Sequence, residues 1–173
     1  DKPRLLVMID PAITLPDTYY RDGVKIVTFN HERYLPRAKS INYTAAIIAM
    51  KYAHTQDAID ALFVDHNGVV LEGTTNNLFA FYGDTLVTHE GDDILPGITR
   101  NLVLDLAKDL YTIETRDITV DALYDADETF LTSSIKEVLP LRQINDHVYG
   151  APGERTRTLI TKFAEYAGIP VKV

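Results

Sequence analysis

Cysteine is absent from the 173 residues of this sequence, which excludes disulfide bonds, thiolate catalysis and cysteine-based zinc sites. No apolar run approaches the ~18 residues that a membrane-spanning helix needs, so we expect no membrane role. Basic residues are outnumbered, at 17 against 25 acidic residues for a net charge of −8. This balance argues against a nucleic-acid partner, because phosphate groups bind to a basic face. A cysteine-free chain is compatible with a reducing cytoplasm, and we expect a cytoplasmic location.

Two further kinds of chemistry lack their usual signals. The five histidines are scattered without the spacing of metal ligands, so we expect no metal site. No G-x-S-x-G motif is present, so a serine nucleophile has no support. The length fits one sizeable core, and no internal repeat or linker divides it.

Apolar patterning predicts hairpins with interspersed helices around a single core, which is an α+β or mixed α/β fold. Strands are predicted over residues 4–13, 24–29, 60–66, 69–82 with a break at Gly73, 83–89, 111–119 and 127–134, with a hairpin over 139–150. Helices are predicted over residues 42–52, from Thr99 onward, and over 120–126 and 153–169. Asn67-Gly68 between two apolar runs predicts a tight hairpin turn. Residues 14–23 are expected to form a loop or short turn.

Lys39 lies between Pro36 and an apolar helical run in the stretch LPRAKSINYTAAIIAM. Most lysines are solvated surface charges, and this position alone permits that interpretation. An amine held at such a junction can instead be desolvated, which lowers its pKa toward the range of a nucleophile. Schiff-base chemistry with a carbonyl compound needs such an amine. In the helix that follows, Ala45, Ile48, Ala49 and Tyr52 recur at helical spacing, and we expect them to form its buried face.

Glu72 ends a β-branched apolar strand in VVLEGTTNNLF. Such a position tends to be buried, where an unpaired carboxylate is costly. The plain interpretation is a strand-end glutamate that reaches solvent. The alternative is a carboxylate that holds a protonated heterocyclic nitrogen, with the small polar residues 73–77 lining a pocket beside it.

Hydroxyl and amide donors recur in two further stretches, LPGITR and LTSS. Gly97 precedes a predicted helix whose first N–H groups are unpaired, and the Thr99 hydroxyl adds a donor. This arrangement is either a phosphate cradle or a plain helix cap. Ser133 and Ser134 end a predicted strand, where hydroxyls usually stabilise turns.

In their order along the chain, LPRAKSINY, LEGTTNNLF, LPGITR and FLTSSIKEVLPL resemble the class IV (fold type IV) pyridoxal-phosphate enzymes. That family includes branched-chain aminotransferases, D-amino acid aminotransferases and 4-amino-4-deoxychorismate lyases, and the resemblance covers nearly the whole chain. It implies pyridoxal 5'-phosphate as cofactor and the large C-terminal domain of the D-amino acid aminotransferase-like fold, a pseudo-barrel of strands with surrounding helices.

The resemblance also implies an activity. It is transamination between an amino acid, of branched-chain or D type, and a 2-oxo acid. A lyase acting on aminodeoxychorismate with the same cofactor and a catalytically impaired fragment are the alternatives. Family members are usually homodimers, so a homodimer is expected here.

Roles follow where the family motif matches. Lys39 matches the lysine that forms the internal aldimine and moves the substrate proton. Glu72 matches the carboxylate that pairs with the pyridine nitrogen, and Leu95 the residue that packs on the pyridine face. Tyr43 is expected to reach the phenolic oxygen of the cofactor. Asn77 matches the family asparagine that lines the cofactor pocket, beside Asn76.

The resemblance places the cofactor phosphate at the two donor-rich stretches. Gly97, Ile98 and Thr99 match the helix-start ligands, through backbone groups and the threonine hydroxyl. Ser133 or Ser134 matches a further phosphate contact.

Family members carry a smaller domain before the segment where this chain begins. Residues 1–13 are expected to be the final strand of that domain, and residues 14–173 to be the large cofactor-binding domain. The smaller domain supplies an arginine to the cofactor phosphate, and we expect its loss to weaken binding by about 1.5–3 kcal/mol. The chain is therefore expected to be a fragment, a partly ordered chain or a reduced homologue, and its exposed first strand to invite association.

Overall fold

A computed structural model describes residues 4–11 and 14–172. Its helices are α1 (Asp17–Asp22), α2 (Thr44–Thr55), α3 (Ile98–Ala107), α4 (Val120–Tyr124) and α5 (Glu154–Ala167), with a 3-10 turn at Pro36–Ala38. Its strands are β1 (Val24–Asn30), β2 (Ala61–Val64), β3 (Val70–Gly73), β4 (Asn77–Tyr82), β5 (Thr85–Thr88), β6 (Thr112–Thr115), β7 (Glu128–Ser133), β8 (Glu137–Ile144) and β9 (His147–Val148).

The strands form one mixed sheet in the order β3-β2-β1-β8-β7-β4-β5-β6, with β9 paired to β8. β1 pairs in parallel with both β2 and β8, and β5 pairs in parallel with β6. The other pairs are antiparallel. The predicted mixed α/β class is confirmed, and the sheet curls into a half-barrel with helices around it.

The register brings several strand ends to one edge of the sheet. Asn77, the first residue of β4, pairs with Thr132 near the end of β7. Ser133, the last residue of β7, pairs with Glu137 at the start of β8. The β7–β8 turn therefore lies beside the residues that connect β3 to β4.

Alternating residues of β4 face two different apolar clusters, because successive strand side chains point to opposite faces. Leu78 and Ala80 pack in a cluster with α1 and α4 residues. Phe79 and Phe81 pack on the other face, where Phe79 stacks on Phe130 with ring centroids 5.0 Å apart. The second cluster also buries the inner faces of α3 and α5.

The Asn67-Gly68 hairpin prediction is confirmed. Gly68 has a φ of 81° and donates its N–H to the Asp65 carbonyl at 3.2 Å. β2 and β3 pair antiparallel on either side of this turn. Glycine suits the position because a left-handed φ carries no Cβ penalty there.

The strand predicted over 4–13 is wrong for residues 4–11, which form neither helix nor strand. The apolar side chains from Leu5 to Ile9 are 67–91% exposed. A strand needs hydrogen-bonded neighbours, and no described residue pairs with this segment. Residues 12 and 13 lie outside the described part of the chain.

Residues 14–23 differ from the expected loop, because residues Asp17–Asp22 form α1. Pro16 precedes the helix and Asp17 lies in its first turn, where a carboxylate interacts well with the helix dipole. Tyr20 is fully buried, and its hydroxyl donates to the Lys136 carbonyl at 3.2 Å. This burial stabilises a helix that is too short to persist alone.

The helix after Lys39 is confirmed, and its predicted buried face is right for Ala49 but wrong for Ile48 and Tyr52. The buried residues of α2 are Ala46, Ala49 and Ala53, while Ile48 and Tyr52 are exposed. Alanine allows the helix to lie close against the sheet, where its cluster includes Phe63. A helix that is apolar on several sides gives no clear periodicity from which to choose the buried one.

Candidate active site

A cavity of about 1020 Å³ opens at the sheet edge where β3 and β7 end and β4 begins. Its lining comes from the segment before α2, the β3–β4 connection, the start of α3 and the β7–β8 turn. All ten predicted site residues line it: Lys39, Tyr43, Glu72, Asn77, Leu95, Gly97, Ile98, Thr99, Ser133 and Ser134. Their individual roles stay predictions.

Glu72 is 3% exposed on β3, so the interpretation as a solvent-reaching glutamate is wrong. Its Oε2 accepts a hydrogen bond from the Leu95 N–H at 3.1 Å. Its Oε1 is buried and has no hydrogen-bond partner among the described residues. A buried carboxylate oxygen without a donor is costly, and it suits a ligand that brings an N–H into the cavity.

Arg33 is the nearest cation to this carboxylate, and sequence reasoning missed it. Its Nε lies 3.4 Å from Glu72 Oε1. Its Nη2 donates to the Gly73 carbonyl at 3.3 Å and to the Thr74 carbonyl, and the guanidinium lies 5.1 Å from the ring centroid of Phe63. Burial raises the pKa of Glu72 above its usual value, while the Arg33 charge and the Leu95 N–H act against that rise.

Lys39 ends the 3-10 turn in a left-handed conformation, with a φ of 46°. Leu35, at the other end of the turn, is also left-handed at 52°. Non-glycine residues in this region cost about 1–3 kcal/mol each and cluster at functional sites. Lys39 is exposed, so the desolvation expected at this junction is not supplied by the described residues. Tyr43 directly precedes α2 and is also largely exposed.

The start of α3 presents unpaired backbone donors to the cavity. Gly97 precedes the ten-residue helix, and no side chain caps it. The Asn77 Nδ2 donates to the Leu95 carbonyl at 2.8 Å and so holds the preceding loop. A Cβ at Gly97 would lie 2.3 Å from Asn77 Oδ1, so a larger residue here would force the Asn77 side chain to move. Thr99 is buried and Ile98 is exposed.

The β7–β8 turn adds hydroxyl groups on another side of the cavity. Ser133 and Ser134 both line it, and Ser133 Oγ accepts from the Lys136 N–H at 3.0 Å. Thr132, one residue earlier, also lines the cavity, and its buried Oγ1 has no partner in the described part of the chain.

A buried ion pair between Asp60 and Lys136 lies at the same place, and sequence reasoning missed it too. Asp60 is 1% exposed directly before β2, while Lys136 lines the cavity. The only signal in the sequence was an acidic residue at the start of a predicted strand, because its partner is 76 positions away.

Within residues 4–11 and 14–172, no group of three or more histidine and acidic side chains is placed to hold a metal ion. The helices of this same part of the chain are too short or too polar to cross a membrane.

The model of the family "Amino-transferase class IV" matches residues 1–144. A putative branched-chain-amino-acid aminotransferase from Methanocaldococcus jannaschii is 33% identical over 164 residues, covering 89% of this chain and 57% of that protein. A D-alanine aminotransferase from Bacillus licheniformis is 32% identical over 154 residues, covering 86% of this chain and 54% of that protein. This chain therefore spans about half the length of these curated relatives.

Solved structures show the same architecture. A T.th. branched-chain amino acid aminotransferase, solved with pyridoxamine 5'-phosphate, superposes with a TM-score of 0.79 at 30% identity. The match covers 89% of this chain and 53% of that one.

Proposed function

We propose that this chain, which belongs to the class IV aminotransferase family, binds pyridoxal 5'-phosphate and transfers an amino group. The substrates would be an amino acid, of branched-chain or D type, and a 2-oxo acid. Relatives of both specificities resemble the chain about equally. A related structure holds pyridoxamine 5'-phosphate, which supports this cofactor.

The observation that carries the proposal is that Glu72 Oε1 is buried in the cavity wall without a hydrogen bond from the described residues, the Arg33 Nε being 3.4 Å away. A protonated pyridine nitrogen would supply the N–H that this buried oxygen lacks. The uncapped start of α3 and the hydroxyls of Thr99, Ser133 and Ser134 would receive the phosphate. The residues present therefore fit the cofactor at both its cationic and anionic ends.

When bound, the cofactor supplies an electron sink for the carbanion that forms when the substrate α-carbon loses its proton. Burial raises the pKa of Glu72, and the Arg33 charge beside it favours the charged form of this carboxyl in the cavity wall. The Lys39 amine is the group proposed to bind the cofactor and to take and return the proton at its Nζ. Its exposed position leaves it free to move between these tasks.

The domain boundary remains part of this proposal. Residues 14–173 would be the cofactor-binding unit, and residues 1–13 would pack against further protein. The run of apolar side chains from Leu5 to Ile9, all strongly exposed, supports the second statement. A cytoplasmic location stays a prediction.

A homodimer is also part of the proposal. Tyr34 and Ile41 are exposed in the segment before α2. Ile47 and Ile48 are exposed on α2 itself. Contiguous exposed apolar side chains are typical of protein interfaces. Their position beside the Lys39 turn would place the interface next to the cavity.

The decisive experiment adds pyridoxal 5'-phosphate to the 173-residue chain and records visible absorbance and thermal stability. We expect an absorbance band that survives dialysis and a rise in melting temperature, as a ligand of the folded state produces. Lys39→Ala should lose the dialysis-resistant band, and a variant that kept it would contradict the role of Lys39. Absence of both effects in the parent chain would favour a catalytically silent fragment.

Substrates are then compared on the loaded protein. A branched-chain L-amino acid and D-alanine are each offered with 2-oxoglutarate or pyruvate, and aminodeoxychorismate is offered alone. Amino transfer from either donor supports the proposal. Conversion of aminodeoxychorismate without amino transfer would replace it with the lyase alternative.

A further inference from the structure

The turn between β2 and β3 contains a chemically labile pair of residues. Of the seven asparagines in the sequence, Asn67 is the one that precedes a glycine. Asn67 is exposed, and a Cβ built on Gly68 would meet no atom of the described residues within 4 Å. Asparagine is among the thermolabile residues of proteins. A glycine after it has no side chain to hinder approach of its backbone nitrogen to the asparagine amide.

The reaction open to this pair is deamidation. The Gly68 nitrogen gives its proton to the solvent and attacks Cγ of Asn67. A C–N bond forms, the Cγ–Nδ2 bond breaks, and the nitrogen of the side chain leaves as ammonia. Water then opens the resulting succinimide at one of its two carbonyls. Opening at one carbonyl gives aspartate, and opening at the other gives isoaspartate, in which the main chain runs through the former side-chain carbon.

The folded turn restrains the attacking nitrogen. The Gly68 N–H donates to the Asp65 carbonyl at 3.2 Å, and the Gly68 carbonyl accepts from the Val120 N–H at 3.1 Å. Gly68 is therefore held both within the turn and against the start of α4. To reach Cγ of Asn67, its nitrogen must give up the first hydrogen bond and the residue must shift against the second.

The Asp65 carboxylate restrains the amide that would be attacked. Its Oδ2 accepts from Asn67 Nδ2 at 3.2 Å. Its Oδ1 accepts from the Asn67 N–H at 2.9 Å and from the Val69 N–H at 2.7 Å. One oxygen thus fixes the orientation of the side-chain amide, while the other holds the backbone on both sides of Gly68. Asparagine and aspartate side chains commonly stabilise turns in this way.

We propose that Asn67 is a deamidation site of this chain and that Asp65 slows the reaction in the folded state. Asp65 acts as a positioning residue, because it keeps the amide and the Gly68 nitrogen apart and takes no part in the covalent step. This chemistry involves neither the cavity nor a cofactor, so it does not depend on the proposed function.

Deamidation would weaken the turn that resists it. Aspartate at position 67 replaces the Nδ2 donor with a second carboxylate next to Asp65, and like charges repel. Isoaspartate lengthens the main chain by one carbon directly before Gly68, where the backbone is held at both ends. The deamidated chain carries one more negative charge and can be separated by anion exchange. It should melt at a lower temperature than the unmodified chain, and equal melting temperatures would contradict this consequence.

The test measures ammonia release and maps the modified position. The parent chain is incubated in mildly alkaline buffer, both folded and in concentrated urea. A protease that cleaves before aspartate then releases residues 65–83. Aspartate at position 67 creates a new cleavage site, whereas isoaspartate changes only the peptide mass. We expect the folded chain to react at least about tenfold more slowly than the chain in urea. Equal rates in the two states would overturn the proposal.

Variants of Asp65 test its part in this protection. Asp65→Ala removes both acceptor oxygens and should speed deamidation of the folded chain about fivefold or more. Asp65→Asn keeps one acceptor oxygen for the backbone but cannot accept from Asn67 Nδ2, so its rate should lie between those of Asp65→Ala and the parent. All three chains should react equally in urea, where the turn is absent. A folded Asp65→Ala chain that reacts at the parent rate would overturn the proposal.

Global unfolding also speeds deamidation, so a control of matched stability is required. Leu159→Val weakens the apolar cluster around Phe79, which contains no residue of the β2–β3 turn. At an equal distance below their melting temperatures, Asp65→Ala should still react faster than Leu159→Val. Equal rates would show that Asp65 acts only through overall stability and would overturn the proposal. If Asp65→Ala does not fold, Asp65→Asn is compared with Leu159→Val in the same way.

Discussion

Arg33 Nε lies 3.4 Å from Glu72 Oε1, and this pair brings a cation to a carboxylate that is otherwise desolvated. The arginine is held from the other side by the Gly73 and Thr74 carbonyls. Its position is therefore fixed by the backbone of the β3–β4 connection and does not depend on Glu72 alone. The Arg33 charge lowers the pKa of Glu72 and so opposes the effect of burial on this carboxyl.

Replacing Arg33 with methionine should raise the pKa of Glu72 further, because burial then acts with less opposition. The carboxylate would take up a proton at a higher pH and lose its attraction for a protonated pyridine nitrogen. As the pH is lowered, the affinity for pyridoxal 5'-phosphate should begin to fall at a higher pH in Arg33→Met than in the parent. Titration with the cofactor across a pH series measures this. Arg33→Lys keeps the charge and is the matched control. The same pH profile in Arg33→Met and the parent would contradict this coupling.

Glu72→Gln should change stability and cofactor binding in opposite directions. Burial raises the pKa of Glu72 in the folded state, so its contribution to stability is fully present below the unfolded pKa and is lost as pH rises through the folded pKa. At neutral pH the glutamine variant should therefore be more stable, by about 1–2 kcal/mol if the unpartnered oxygen is the main cost. Its stability should also decline less as pH rises, while pyridoxal 5'-phosphate binds more weakly.

Urea denaturation from acidic to neutral pH measures the first effect, and ligand titration the second. Glu114→Gln is the control, because Glu114 is exposed on the edge strand β6. A Glu72→Gln variant that was less stable than the parent at neutral pH would show that Arg33 more than offsets the desolvation of the carboxylate.

Short motifs allow much of the site to be predicted from the sequence. Lys39, Glu72 and Gly97 stand out because of their immediate neighbours, which are a proline turn, a strand end and a helix start. Their expected roles come from the family resemblance of the motifs in their order along the chain. Arg33 and the Asp60–Lys136 pair are missed because their partners are 39 to 76 positions away in sequence. Only the order of strands in the sheet brings these residues together, and periodicity carries no information on that order.

The wrong predictions of secondary structure have the same origin. Residues 4–11 have strand-like composition, but strand pairing requires a neighbour that local sequence does not reveal. Local pattern places Ile48 and Tyr52 on the buried face of α2 beside Ala49. In the structure Ala46, Ala49 and Ala53 are buried and let the helix approach the sheet. In both segments, contacts with distant parts of the chain determine the structure, and local sequence preference does not.

Gly97→Ala should disturb the α3 end of the cavity. A Cβ at this position would lie 2.3 Å from Asn77 Oδ1, so the asparagine must move and its hydrogen bond to the Leu95 carbonyl must weaken. We expect a loss of about 1–3 kcal/mol in the free energy of unfolding, which is typical of overpacking, together with weaker pyridoxal 5'-phosphate binding. Chemical denaturation of Gly97→Ala in the parent and in an Asn77→Ala background tests the cause. In the Asn77→Ala background, Gly97→Ala should lose much less unfolding free energy than in the parent, because the clashing side chain is gone. An equal loss in both backgrounds would show that the clash lies elsewhere.

Ile48→Glu tests whether the outer face of α2 joins two copies of the chain. Ile48 is 53% exposed and lies one residue from Ile47, which is also exposed. A charge in the middle of an apolar interface must be desolvated without a partner, so the variant should dissociate at least about tenfold more readily. Sedimentation across a concentration series measures this, with Leu110→Glu, the same change at an exposed apolar residue outside α2, as the matched control. A parent that is monomeric at every concentration would refute the homodimer. A dimer that Ile48→Glu leaves intact would place the interface on another surface, and the exposed run from Leu5 to Ile9 would then be the next one to change.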